Sequence, residues 1–188
     1  SPRFFRLLNA GKDSVALDFD TEEGRRHLTD IVSRADVVIT GARPRALHQL
    51  GLDLETMVAQ GRPRVWLSVT GYGAANGSGH RVAFGDDAAV AGGLVAFDDR
   101  GPCFCGDAIA DPLCGLASTV AVLTAAGREG SWVVDASMAD IAGGLTGPAL
   151  PVAGLRPAPP PDPGDEPGTA LPAFGADTEA VVAGLAPG

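Results

Sequence analysis

Val65-Trp66-Leu67-Ser68-Val69 is a short run of β-branched, aromatic and apolar residues, the pattern of a strand buried in a sheet. Outward from it, Val37-Val38-Ile39 reads as a second buried strand and Trp132-Val133-Val134-Asp135 as a third. Val15-Ala16-Leu17-Asp18-Phe19 reads as a further β run close to the start. Helix-like segments separate them. Asp20, with Glu23 three residues on, reads as a capping box opening a helix through about Ser33. Pro44 to Leu50 reads as a helix with proline in its first turn and Gly51 as its stop, followed by another from Leu54 to Gln60. Asp86 to Phe97, Asp111 to Ala126 and Ser137 to Leu145 also carry helical patterns. Strands alternating with helices imply βαβ units. The expected fold is therefore α/β, a Rossmann-like and mostly parallel sheet with flanking helices. Ligands of such sheets sit beyond the carboxyl ends of strands. That directs attention to the segments after Ile39, after Val69 and before the Asp111 helix.

The C-terminal part differs in kind. Ten of the 15 prolines fall in residues 148–188. Proline fixes φ and removes an N–H donor, so Pro148 to Ala173 reads as an extended, Pro-rich linker. Asp177 to Leu185 reads as a short docking helix with an Asp or Thr cap. The expected organisation is an α/β domain over 1–147, a Pro-rich linker over 148–173 and a short helical segment over 174–188.

Composition narrows the partners. The 188 residues are 45% hydrophobic and 20% charged, as in globular domains. A chain of this length buries roughly 70% of its unfolded surface and needs no disulfide or metal staple. The formal net charge is −9, which argues against a sequence-independent grip on nucleic acid or on an anionic membrane surface. No apolar run approaches the roughly 18 residues of a membrane span. The three cysteines, Cys103, Cys105 and Cys114, are an odd number with no secretory leader before them. Buried free thiols and a cytoplasmic location are the expectation. Cys103 and Cys105 supply two metal ligands without the spacing that completes a zinc site, so no metal is expected.

Familiar phosphate-cradling signatures, G-x-x-x-x-G-K-[ST] and G-x-G-x-x-G after a strand, are absent from the sequence. Three other segments are candidates for chemistry, each of which reads equally as plain structure: a helix cap, a strand-exit turn and a solvated basic turn. Asp111-Pro112-Leu113-Cys114-Gly115 places an aspartate at a helix start, as N-cap with proline at the next position. The helix dipole favours the anion there, and a carboxylate can attack an activated acyl group. Ser68-Val69-Thr70-Gly71-Tyr72-Gly73 leaves a strand through a glycine-flanked turn that allows close backbone approach to a ligand. Thr40-Gly41-Ala42-Arg43-Pro44-Arg45 sets arginines at another strand exit, a carboxylate or phosphate site. Lys12, the only lysine, is a further candidate anion contact.

In order, these segments resemble the class III CoA-transferases of the carnitine CoA-transferase and BaiF type. Leu8-Asn9-Ala10-Gly11-Lys12-Asp13-Ser14-Val15-Ala16-Leu17-Asp18 resembles the family's N-x-x-K-x-S-[VI]-x-L-D. Ala35-Asp36-Val37-Val38-Ile39, Arg43-Pro44 and Leu50-Gly51-Leu52 follow as in its members. Pro63 to Gly73 resembles the next strand and glycine turn, Asp111 to Gly115 the D-x-x-x-G of the catalytic aspartate, and Val134-Asp135-Ala136-Ser137-Met138 the later V-D-x-[SA]-M. The resemblance implies that CoA is carried between carboxylic acids, with acyl-CoA and a carboxylic acid acceptor as substrates. It implies a covalent intermediate on Asp111, and Lys12, Arg43, Leu50, Thr70, Gly71 and Tyr72 at CoA-contacting positions.

The sequence also departs from that family. Gly41-Ala42 stand where relatives often have Asn-Phe, Gln49 where some have arginine, and Thr70 where some carry lysine. Family members are longer, with a second domain and interlocked subunits, so a homodimer or a partner chain completing the fold is expected. Two alternatives share the resemblance. An α-methylacyl-CoA racemase or epimerase needs a His–Asp acid/base pair, yet Phe84 or Gly85 stands where its histidine falls and His80 is out of register. A non-catalytic CoA-binding or partner subunit is the other.

Overall fold

The computed structural model describes residues 2–74, 77–147 and 170–185. In chain order its elements are α1 (Pro2–Asn9), α2 (Glu22–Arg34), β1 (Val37–Thr40), α3 (Pro44–Gln49), α4 (Leu54–Ala59), β2 (Val65–Thr70) and α5 (Gly85–Ala91). There follow β3 (Val95–Asp98), β4 (Gly101–Phe104), α6 (Ala110–Ala126), β5 (Trp132–Ser137), α7 (Met138–Gly144) and α8 (Thr178–Ala183). The chain divides into two compact units, 1–28 with 149–188, and 29–148. The proline run itself, from 148 to 169, lies outside the described residues.

The larger unit is built on a three-stranded parallel sheet in the order β1-β2-β5, the α/β architecture read from the sequence. β2 is central, with Leu67 beside Ile39 on one side and beside Val134 on the other. Parallel strands need crossover connections, and helices supply them. Val65, Trp66 and Leu67 are buried. One core cluster joins Leu67 to Ala88 and Ala89 of α5, Ala110 and Cys114 of α6, and Ala136, Met138, Ala139 and Ala142 around α7. The small side chains let α5, α6 and α7 pack closely against one another.

Four expectations are corrected here. Residues 86–97 are not one helix. α5 ends at Ala91, where Gly93 adopts φ +86° and the Leu94 N–H reaches back to Ala89 O at 2.8 Å. That is a left-handed stop closed by a six-to-one bond, and it releases Val95–Asp98 to pair antiparallel with Gly101–Phe104. The helix at 111 begins one residue early, at Ala110, so Asp111 sits inside the first turn rather than at the cap. The Asp20 capping box does not form. Thr21 Oγ1 accepts the Gly24 N–H at 3.0 Å instead, and Glu23 meets Arg26 at the surface. Of the three cysteines only Cys114 is buried; Cys103 is half-buried and Cys105 exposed.

In the smaller unit the chain starts as a helix, α1, and Val15–Phe19 is not a strand. Its backbone groups go elsewhere. The Ser14 N–H donates to Asp177 Oδ2 at 2.8 Å and the Ala16 N–H to Thr178 Oγ1 at 2.9 Å. The Asp177 N–H returns to Ser14 O at 3.0 Å. The C-terminal helix read as a docking element is pinned by these bonds, with Asp177 serving Ser14 rather than capping α8.

Candidate active site

Asp111 is placed by a turn held from α5. Ala108 adopts φ +48°, a left-handed conformation that costs a residue with a Cβ of order 1 kcal/mol. Its N–H donates to Asp86 Oδ1 at 2.7 Å, and its carbonyl accepts the Asp111 N–H at 2.9 Å. Gly85, one residue before Asp86, is buried against the same turn. A Cβ there lies 2.8 Å from Asp111 Oδ2 and 2.7 Å from Ala108 O. Only glycine leaves that room. The exposed Asp111 thus rests its carboxyl against a backbone surface, one turn above the buried Cys114.

Two clefts meet at Asp111. One, of about 540 Å³, is apolar and includes Ile39, Leu67, Val69, Val122 and Met138 in its wall. The other, of about 390 Å³, has Arg43, Thr70, Gly71 and Arg81 in its wall beside Val69, Val82 and Met138. A third hollow of about 610 Å³ adjoins through Arg43 and holds Arg45, Gln49 and His80. Burial pushes the Cys114 thiol up; the Ser118 hydroxyl opposes that shift and the Asp111 charge adds to it.

The β2 exit is shaped by its glycines. The Gly73 N–H donates to Thr70 Oγ1 at 2.9 Å, and the Ala74 N–H to Asp135 Oδ2 at 2.8 Å. Gly71 is buried, with no space for a Cβ beside Ala83. The Tyr72 ring packs on the core cluster, and the Arg81 guanidinium lies 3.7 Å from its centroid.

Of the residues picked from sequence, Asp111, Arg43, Thr70 and Gly71 come together at one cleft. Tyr72 stands beneath Arg81 at its edge. Leu50 is half-buried as the C-cap of α3, with its N–H bonded to Ala46 O and Leu47 O. Lys12 belongs to the smaller unit, where its ammonium donates to Asn9 Oδ1 at 3.3 Å. Arg81 and Asp86 were missed in the sequence. Each sits where a glycine-rich turn of unpredictable length hides the register.

Asp111, near the start of a core helix beside the parallel sheet, thus borders both an arginine-bearing cleft and an apolar hollow. The pattern of CoA-transferase family III matches residues 1–177, and the chain belongs to that family. It is 35% identical over 69 residues to the cinnamoyl-CoA:phenyllactate CoA-transferase of Clostridium sporogenes, covering 37% of this chain and 17% of that protein. It is 31% identical over 122 residues to the succinyl-CoA–D-citramalate CoA-transferase of Chloroflexus aurantiacus, 63% of this chain and 30% of that one. A crystal structure of a CaiB/BaiF family protein from Brucella suis superposes with a TM-score of 0.65 at 32% identity, over 73% of this chain and 38% of that one. The chain therefore spans well under half the length of these relatives.

Proposed function

We propose that the protein transfers CoA between carboxylic acids through a covalent intermediate on Asp111. The observation that carries this reading is Asp111 itself, exposed at the junction of an apolar and an arginine-bearing cleft. In the first step an Asp111 carboxylate oxygen attacks the thioester carbonyl and CoA leaves as thiolate, giving a mixed anhydride. The thiolate then attacks the Asp111 acyl carbon, forming an aspartyl-CoA thioester and releasing the donor acid as carboxylate. The acceptor carboxylate reverses both steps.

CoA is substrate in this scheme, and no metal is required. Arg43 supplies a guanidinium to a phosphate, and Thr70 and Gly71 give the thioester end a close approach. Leu50 and Tyr72 are the further proposed CoA contacts within the larger unit. A second chain, in a homodimer or with a different partner, covers the remaining substrate surface, and the cytoplasm is the proposed compartment for three free thiols. The racemase alternative needs a histidine facing Asp111 across the α-carbon. His80 lines the neighbouring hollow instead, and Phe84 stands exposed before α5.

The test is mass spectrometry after incubation with a panel of acyl-CoAs, with hydroxylamine trapping. An adduct on Asp111 that disappears in Asp111→Ala is the expected result. Absence of any adduct, together with deuterium exchange at the α-carbon of a branched acyl-CoA, would overturn it in favour of proton transfer.

A further inference from the structure

Arg81 is a cation that no carboxylate of the described residues pairs with. It follows the turn at Gly77–His80, where its own N–H donates to Ser78 O at 2.9 Å. Its guanidinium carbon stands 3.7 Å from the centroid of the Tyr72 ring. That ring is packed against the core cluster and so is a fixed platform. Stacking occupies the face of a guanidinium and leaves its N–H edges pointing outward. Among the described residues no carboxylate lies within 4 Å of those edges. Arg81 lines the same cleft as Asp111 and Thr70.

We propose that Arg81 holds the carboxylate of the acid acceptor against Asp111, and that it is a binding residue for the acid rather than for CoA. The inference rests on the transferase reading above. That reaction brings a carboxylate anion to the carbon of a group that is itself an anion when free. A planar cation beside Asp111 offsets that repulsion and orients two oxygens at once. The acceptor oxygen then attacks the Asp111 acyl carbon of the aspartyl-CoA thioester, the carbon–sulfur bond breaks, and CoA leaves as thiolate. The thiolate attacks the acceptor's acyl carbon and returns Asp111 as carboxylate, with no net proton transfer. Arg81 contacts the acid in both steps. The phosphates of CoA have another candidate cradle, the adjoining hollow lined by Arg43 and Arg45, whose wall does not include Arg81.

The experiment measures steady-state kinetics with the acyl-CoA that acylates Asp111 in the trapping panel, against acetate, succinate and phenyllactate as acceptors. Arg81→Gln is expected to raise the KM of the productive acid at least tenfold, with the KM of the acyl-CoA within twofold of the wild type. Arg81→Lys recovers part of the loss, because the charge remains while the planar fork is gone. An unchanged acid KM in Arg81→Gln overturns the proposal. So does a rise confined to the acyl-CoA, which assigns Arg81 to a phosphate. In both cases Asp111 is still acylated, whereas failure of the transferase reading appears as no acylation in the wild type.

Discussion

Asp86 Oδ1 accepts the backbone N–H of Ala108 at 2.7 Å, and Ala108 is the described non-glycine residue with a positive φ. A carboxylate on α5 thereby holds the turn whose next carbonyl receives the Asp111 N–H. Charge-assisted bonds of this kind contribute about 1.5–3 kcal/mol, enough to outweigh the cost of the left-handed residue. Asp86→Ala is expected to lower the rate of Asp111 acylation by tenfold or more while leaving the acyl-CoA KM near its original value. Asp86→Asn keeps an acceptor oxygen and recovers most of the rate. Equal loss in both variants would mean that the negative charge, rather than the bond, matters.

Gly85 supplies a second, purely steric test. Alanine there sets a Cβ 2.7 Å from a backbone oxygen, which cannot swing aside as a flexible side chain can. Overpacking of this kind costs about 1–3 kcal/mol. The strain falls on Ala108 and Asp111, so Gly85→Ala is expected to lose Asp111 acylation by about 100-fold, the scale of a 1 Å misplacement. A melting curve separates this from global unfolding. A stable variant with full acylation would show that the turn relaxes at no cost to Asp111.

How far the sequence reached can be argued from these same residues. The three parallel strands and the helix carrying Asp111 were legible, because β-branched runs and a long apolar helix report burial directly. The Asp111, Arg43 and Thr70-Gly71 segments were legible as strand exits and helix starts. What escaped depends on contacts distant in sequence. Val15–Phe19 has strand composition, but the amides of Ser14 and Ala16 bond to Asp177 and Thr178, some 160 positions away. The break at Gly92-Gly93 was hidden because the flanking residues suit either a helix or a strand. The bond from Asp86 to Ala108 spans 22 residues, and no local pattern encodes it.

The thiols report the charge of Asp111 without any substrate. Iodoacetamide at mildly alkaline pH is expected to modify the exposed Cys105 first, then Cys103, and the buried Cys114 last. Cys114 lags because burial raises its pKa and the nearby Asp111 anion raises it further. The thiolate fraction at a fixed pH is therefore reduced, and its labelling grows as pH rises past the ordinary thiol range. Asp111→Asn removes the anionic contribution, so Cys114 labels faster in that variant at the same pH. Peptide-resolved mass spectrometry reads all three sites. An unchanged Cys114 rate would place the Asp111 charge too far away to act on it.

Asp177 and Ser14 tie the two ends of the smaller unit together. Asp177→Ala removes the acceptor for the Ser14 N–H, worth about 1–2 kcal/mol of local opening. Hydrogen exchange at Ser14 and Ala16 is expected to accelerate roughly tenfold, while amides of β2 and α6 keep their protection. Acceleration throughout would mean that the ends hold the whole chain, not one unit.

Trp66 lies at the centre of β2 with 0% exposure, and its indole Nε1–H has no partner among the described residues. An unsatisfied buried donor costs about 1–3 kcal/mol. Trp66→Phe removes that donor and also some packed volume, two effects of opposite sign. The net change is expected to stay within about 1 kcal/mol, whereas Trp66→Ala loses the ring and costs about 3–5 kcal/mol. Urea unfolding with equal slopes for the three proteins measures both differences. If phenylalanine costs nearly as much as alanine, the indole nitrogen has a bonding partner in solution and the core around β2 is more polar than its side chains indicate.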